Sequence, residues 1–361
     1  MRTLAKHVRP PGVPSLSTPA LVVDLDVFDA NVAAMASLLE GTSKTVRPHV
    51  KTHRTPELAR RQLGGRAVGL TCATVGEAEA MAEAGFTDLL IANEVVDEAK
   101  LERLATLGRG GAITVALDDA VPAEALSRSA VAAGTTIGVL IDVDILLHRC
   151  GVSTVDEALA LAAAVDRLPG IEMRGIMGYE GRVRLSDPDR EAHLAGAYET
   201  LASTAHALRH AGFNVETVSA AGTSTLREAL ADPLITELQA GVYALMEPEL
   251  LVMDLPFRCA VSLRGTVISR HPGRIVLDAG RRVVGMEYGA PVPIGFVAHS
   301  IAMGDEHATI LMDEPTPELG SQVALVPGQV RTTFNLHDHV WVTRDGEIVG
   351  CWPISARGSS Q

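Results

Sequence analysis

Short apolar, β-rich runs alternate along the first two-thirds of the chain with longer stretches rich in Ala, Leu and Glu. The runs fall at 20–23, 46–50, 68–71, 88–91, 113–117, 137–142, 171–176, 215–220 and 234–238. Near-continuous hydrophobicity over so few residues is the pattern of strands buried on both faces. The stretches between them, such as 27–39, 75–84, 154–167 and 190–210, repeat apolar residues at helical spacing. Strand and helix in regular alternation predict βα units and a parallel sheet. Eight or nine such units before residue 250 predict a closed (β/α)₈ barrel over an open doubly wound sheet.

After about residue 250 the period changes. Segments 260–269, 273–278, 292–300, 308–312, 322–326 and 339–344 alternate or run β-branched, separated by Gly, Pro and Asp turns, with almost no helical spacing. The expected organisation is therefore an α/β chain of three parts. An N-terminal segment, 1–19, carries a Pro-rich stretch at 9–19 that is either a linker or an edge strand joining the β domain. A barrel follows at 20–250, and a β-barrel-like C-terminal domain at 251–361.

Composition narrows the function classes. A formal charge of −13 opposes phosphate backbones and anionic lipid heads, which excludes nucleic acid and membrane as partners. The basic start lacks a following apolar stretch, and no uncharged run reaches bilayer length. Cys72, Cys150, Cys259 and Cys351 lie far apart with no CxxC pair, arguing against a zinc knuckle, a redox pair or a disulfide framework. A reducing cytoplasm is the expected location.

Lysine is rare: four residues against 27 arginines. Where Arg replaces Lys wherever any cation serves, a retained lysine can mark chemistry that a guanidinium cannot do, such as forming a Schiff base. Lys51 ends a strand in the run Arg47-Pro48-His49-Val50-Lys51-Thr52-His53; it is either such a nucleophile or a plain exposed strand-end lysine. Arg149, in His148-Arg149-Cys150-Gly151-Val152 beyond Asp142-Val143-Asp144, either binds an anionic ligand oxygen or forms a structural salt bridge. Ser219-Ala220-Ala221-Gly222-Thr223-Ser224-Thr225 and Gln239-Ala240-Gly241-Val242-Tyr243 follow late strands, where Gly-rich loops cradle phosphate in many barrels; each alone also reads as an ordinary βα turn.

Taken together, the runs around Lys51, Cys72-Ala73-Thr74-Val75-Gly76-Glu77-Ala78-Glu79, Arg149-Cys150-Gly151-Val152, Thr236-Glu237-Leu238-Gln239-Ala240-Gly241-Val242-Tyr243 and Asn335-Leu336-His337-Asp338 resemble the D-threonine aldolase/D-serine dehydratase family. The resemblance spans nearly the whole chain in order. It implies a pyridoxal 5'-phosphate enzyme built like alanine racemase, usually a homodimer. Lys51 would be the Schiff-base lysine, with His49 beside it. Arg149 would lie near the cofactor O3′ or the substrate carboxylate, Tyr179 beside the ring, and Gly222, Thr223, Gly241 and Tyr243 at the phosphate.

One departure stands out. The family's divalent metal is held by a His-x-Cys or His-x-Asp pair shortly before the Asn-x-His-Asp motif, and Gln329 and Arg331 occupy those two positions. Gln is a poor transition-metal ligand and Arg is permanently charged. Either Arg331 supplies the missing charge and, with Gln329, binds a substrate bearing a second anion, or the site has lost its metal and Arg331 is a surface residue. His337 and His339, with Asp305, Glu306 or His307, form an alternative ligand set.

The expected activity is a lyase of the aldolase or dehydratase type on a β-hydroxy amino acid of D configuration, without the usual metal pair. The alternatives are a racemase or epimerase, with Tyr288 or His337 opposite Lys51, and a non-catalytic pyridoxal phosphate carrier.

Overall fold

The computed structural model describes residues 16–64, 66–181 and 183–361. Most of the Pro-rich leader therefore lies outside the described residues. In chain order, β1 (Ala20–Asp24) leads into α1 (Leu25–Leu39). Then come β2 (Thr45–Val46), α2 (Pro56–Gln62), β3 (Leu70–Cys72), α3 (Val75–Glu83), β4 (Asp88–Glu94), α4 (Glu98–Leu107), β5 (Ala112–Leu117), α5 (Ala120–Ala133), β6 (Ile137–Val143), α6 (Val155–Asp166), β7 (Ile171–Gly178), α7 (Arg190–His210), β8 (Thr217–Ala220), α8 (Leu226–Ala231) and β9 (Glu237–Leu238). The rest is β10 (Val261–His271), β11 (Arg274–Leu277), β12 (Val292–Pro293), β13 (Ala298–Met303), β14 (Ala308–Met312), β15 (Gln322–Val326), α9 (Val330–Asn335), β16 (His339–Arg344) and β17 (Glu347–Pro353).

The chain divides into two units. The barrel unit holds Leu39–Lys51, Arg66–Gly241 and Ser359–Gln361. Its eight strands pair in the order β2-β9-β8-β7-β6-β5-β4-β3. Parallel bridges Val46↔Ala67 and His49↔Thr71 then join the two ends and close the ring. The expected (β/α)₈ barrel is borne out. Alternate residues of each strand point inward, and Leu90, Ala116, Leu140 and Met177, one from each of four neighbouring strands, make a buried apolar layer inside the ring.

Next to β2 the ring interior is ionic rather than apolar. Arg47 donates from Nε to Glu237 Oε2 (2.8 Å) and from Nη1 to Asp88 Oδ1 (2.6 Å). Ser219 Oγ donates to the other oxygen of Glu237 (2.7 Å). The guanidinium passes over Gly69, where a Cβ would lie 2.4 Å from Nη1 and where φ is +135°. A side chain at that position is excluded both by strain and by the buried arginine.

The other unit holds the described parts of Met1–Leu38 and Thr52–Gly65 together with Val242–Gly358. Its sheet follows the path β13-β14-β11-β10-β1-β16-β17, with β15 pairing β10 and β12. Leu263, Val267, Ile275, Leu277, Ile310 and Leu325 anchor its apolar core. Here the structure divides the chain differently from the expected boundary at residue 20. β1 is no barrel strand: it pairs antiparallel with β10 and parallel with β16. The physical reason is that Ala20-Leu21-Val22-Val23, buried along its length, is satisfied equally by the middle of either sheet. The segment expected as one strand at 292–300 is two, β12 and β13, with Gly295 between them at φ +95°. Among the described residues no helix is long and apolar enough to cross a membrane.

Candidate active site

Lys51 follows β2 on a single 3₁₀ turn, Val50–Thr52, at the carboxyl end of the strand, which is the barrel end where reactive groups converge. Tyr179 follows β7 directly, and the Lys51 Nζ lies 5.8 Å from the centroid of its ring. Gly181 leaves room for that ring, and Gly222 lies beside it. At Gly181 a Cβ would lie 2.2 Å from the ring's Cε1, and at Gly222 one would lie 3.5 Å from Cε2. Barrel strands β2, β7 and β8 thus bring Lys51, Tyr179 and Gly222 together, as the sequence expected of a single site. His49, on the same strand end, is buried and bridges to Thr71.

The Gly222 turn is held from below by a buried acid. Thr225 Oγ1 donates to Glu180 Oε1, and Tyr198 Oη donates to the same oxygen at 3.3 Å. Burial pushes the Glu180 carboxyl up, and the Thr225 hydroxyl pulls it back. Gly222 N donates to Thr225 Oγ1 (3.1 Å), which fixes the turn that carries Thr223, itself buried.

Arg149 is exposed on the loop after β6. That loop is pinned at both ends: Asp144 Oδ1 accepts from His148 N (2.8 Å), and Val152 N donates to Asp142 O (2.9 Å). It then enters α6 through a capping box of Thr154 and Glu157, a device worth about 1 kcal/mol. Around Arg149 stands a cluster that sequence reasoning missed. Glu94, Asp118 and Cys150 offer ligand atoms within 4.8 Å of one another, and Asp142 lies beside Glu94. Burial, then the Glu94 carboxyl, hold Asp142 well above the ordinary carboxylate range, while Arg149 opposes the shift. The available signal was an acid at the carboxyl end of three successive strands, β4, β5 and β6.

In the sheet unit Tyr243 is fully buried, its ring centroid 5.5 Å from that of Phe257, and Gly241 is the last barrel-unit residue before it. His53 is also buried. Its Nδ1 accepts from Thr55 N (3.1 Å), so Nε2 carries the proton and donates to Gln62 Oε1 (2.8 Å). Gln329 and Arg331 open helix α9, and His337 follows it; Nε2 of His337 donates to Val283 O (2.8 Å). The alternative metal set around His337 and His339 is not assembled, because the one group of three ligand side chains that meets among the described residues is the Glu94 cluster.

The family profile described as alanine racemase, N-terminal domain, matches residues 23–247. The chain belongs to that family. A serine dehydratase domain matches residues 260–343 of this alanine racemase-like chain. A D-threonine aldolase of Arthrobacter sp is 38% identical, with 97% of this chain and 96% of that one covered. A 3-hydroxy-D-aspartate aldolase of Paracoccus denitrificans is 32% identical over 95% of this chain and 92% of its own. Among solved structures, a D-threonine aldolase from Filomicrobium marinum aligns at TM-score 0.92 and 38% identity, covering 96% of this chain and 97% of that one. The expectation of an aldolase- or dehydratase-type lyase on an alanine racemase-like fold is borne out by these relatives.

Pyridoxal phosphate is the cofactor that this fold implies. The residues present suit it: a strand-end amine, an aromatic face beside it, and a glycine turn near the same ring.

Proposed function

We propose that this chain is a pyridoxal phosphate-dependent lyase that acts on a β-hydroxy amino acid of D configuration. The observation that carries the reading is the Lys51 amine standing 5.8 Å from the Tyr179 ring, with Gly222 against that ring. The cofactor, when bound, withdraws electrons from the substrate's Cα. Lys51 anchors the cofactor's aldehyde carbon and afterwards moves a proton at Cα. Tyr179 supports the ring plane, Arg149 carries the positive charge for O3′ or the substrate carboxylate, and the turn at Gly222 and Thr223, with Gly241 and Tyr243, takes the phosphate.

In the aldolase version the β-hydroxyl gives up its proton, the Cα–Cβ bond breaks with its electron pair left at Cα, and a proton returns to Cα, giving glycine and an aldehyde. His337 is in the chemical state that the accepting base requires. Burial holds its imidazole below the ordinary histidine range, so it is neutral, and its proton is committed to Val283 O, which leaves the Nδ1 lone pair. The setting we infer is a cytoplasmic homodimer: the dimer follows the family resemblance, and a reducing compartment suits four free cysteines.

The test is product analysis of the purified holoenzyme with D- and L-threonine and serine. Glycine plus aldehyde from the D substrates marks an aldolase, and a 2-oxo acid plus ammonia a dehydratase. Exchange and inversion at Cα without cleavage would replace the reading by a racemase, and no turnover at all by a carrier. Lys51→Ala is expected to abolish both turnover and borohydride trapping of the cofactor on the chain. Trapping that survives the substitution would overturn the site assignment.

A further inference from the structure

Next to the turn that follows β8 lies a carboxyl with no part in the chemistry described above. Glu180 is fully buried. A carboxyl taken wholly out of water costs free energy, and it is kept there where its oxygens are used. Two hydroxyls meet at one of them: Thr225 Oγ1 and, at 3.3 Å, Tyr198 Oη donate to Oε1. Thr225 is the more informative partner. It stands at the N-cap of α8, where a threonine hydroxyl ordinarily accepts from the first turn of the helix, yet its side chain makes no cap bond. Its proton goes to Glu180 instead, and its oxygen accepts from Gly222 N (3.1 Å). The hydroxyl is diverted from the helix to the turn.

That turn needs holding. Ala221, immediately before Gly222, sits at φ +68° and is buried. A residue with a Cβ occupies this left-handed region at a cost, and such a conformation persists where its surroundings over-determine it. Here the surroundings are polar ties. Gly222 N is bound to Thr225, and Thr225 to Glu180. Farther along the turn, Arg190 Nη2 donates to Ser224 O (2.7 Å) while it pairs with Glu228 (3.0 Å). Glu180 is also the residue after Tyr179, whose ring centroid stands 5.8 Å from the Lys51 amine. One buried side chain therefore links the chain segment that carries the ring to the turn beside that ring, and all of these residues belong to the barrel unit.

We propose that Glu180 is a positioning residue for the cofactor: through the Thr225 hydroxyl it holds the strained Ala221–Gly222 turn in the shape that takes a phosphate, and so sets how tightly the cofactor's phosphate is bound. The inference rests on the pyridoxal phosphate reading above and adds to it the side chain that governs cofactor affinity. Glu180 and Thr225 act on the phosphate through the backbone of the turn. A loosened turn weakens a ligand that carries a phosphate and spares one that lacks it.

The experiment dialyses the full chain against graded concentrations of pyridoxal phosphate and, separately, of pyridoxal, which has the same ring and aldehyde without the phosphate. Occupancy is read as the fraction of the Lys51 peptide that borohydride traps with ligand, and a melting curve establishes that each variant is folded. Thr225→Val keeps the side chain's shape and removes its hydroxyl; pyridoxal phosphate affinity is expected to fall about 10- to 100-fold, with pyridoxal affinity within about 3-fold of wild type. Thr225→Ser restores the hydroxyl and is expected to recover pyridoxal phosphate affinity to within about 3-fold. Glu180→Leu, which has no acceptor, is expected to match Thr225→Val, and the double variant to be no weaker than the weaker single one, because both cut the same chain of bonds. Glu180→Gln, whose amide oxygen still accepts from Thr225, is expected to stay near wild type. A Thr225→Val protein that binds pyridoxal phosphate as wild type does, one that loses both ligands equally, or a Thr225→Ser protein that recovers nothing overturns the inference and leaves the cofactor reading standing. A wild type that takes up neither ligand overturns the cofactor reading itself, and this inference with it.

Discussion

Arg47 sits four residues before Lys51 and is expected to be the most costly polar residue of the barrel to remove. Its side chain is 13% exposed and that of its partner Glu237 is 6%, so the pair is desolvated. Arg47→Met fills the space of the stem but leaves the Glu237 carboxylate with the Ser219 hydroxyl as its remaining side-chain donor. Breaking one side of a buried pair costs about 3–5 kcal/mol. For a protein of this size that is a fall on the order of 10 °C in melting temperature. The second acid, Asp88, is 43% exposed, so Asp88→Asn is expected to stay within about 1 kcal/mol. The assay is scanning calorimetry of the wild-type holoenzyme, Arg47→Met, Asp88→Asn and Glu237→Gln, with the double variant Arg47→Met/Glu237→Gln completing the Arg47–Glu237 cycle. The double variant is expected to recover much of the loss, because the penalty is the stranded charge rather than the missing contact. A single-variant loss below about 1 kcal/mol, or a double variant no better than Arg47→Met, would refute the reasoning.

Two further outcomes follow from the site. Gly181→Ala is expected to push the Tyr179 ring off its place and lower kcat by about 10²-fold, the scale of an ångström-level misplacement, with little change in melting temperature; unchanged kcat would mean the ring has no positioning role. Asp142 keeps a proton in the native state that the unfolded chain releases, so its contribution to stability falls as pH rises from the ordinary carboxylate range toward the raised native value. Asp142→Asn removes that dependence, and its melting temperature relative to wild type is expected to climb between roughly pH 5 and pH 8; parallel curves across that range would show that Asp142 is already ionised.

Much of this architecture was legible in the chain because both units obey their periods. The strands β4 to β7 and the helices α1, α3, α6 and α7 fall where the apolar spacing puts them. What the pattern could not settle is which sheet a fully apolar run joins: Ala20–Asp24 reads the same as a barrel strand and as a strand between β10 and β16. Helix α9 was invisible for a different reason. At six residues it is too short to display a helical period, and it is started by the Gln329 cap rather than by its own propensity. In the site, Lys51 could be found because lysine is scarce in this chain and Gly222 because it lies in a Gly-rich turn after a late strand, whereas Tyr179 came only with the family resemblance. Glu94 and Asp118 carry no signal of their own in the sequence, since only the closed ring turns acids far apart in sequence into neighbours. The role of Arg47 was hidden likewise: its partner Glu237 is on a strand of two residues and comes to it only on closure.

The position of β1 has a consequence for how the molecule is made. Val22 pairs with Trp341 on one side and with Ser262 on the other. At a ribosomal pace of about 5–20 residues per second, the earliest strand waits roughly 16 to 64 seconds for the later neighbour to emerge. For that interval the edge of this mostly apolar segment that β16 takes stays open, a template for strangers, whereas the edge that β10 takes is covered earlier. The sheet that β1 shares with β10 and β16 is therefore completed only when the last tenth or so of the chain has been made.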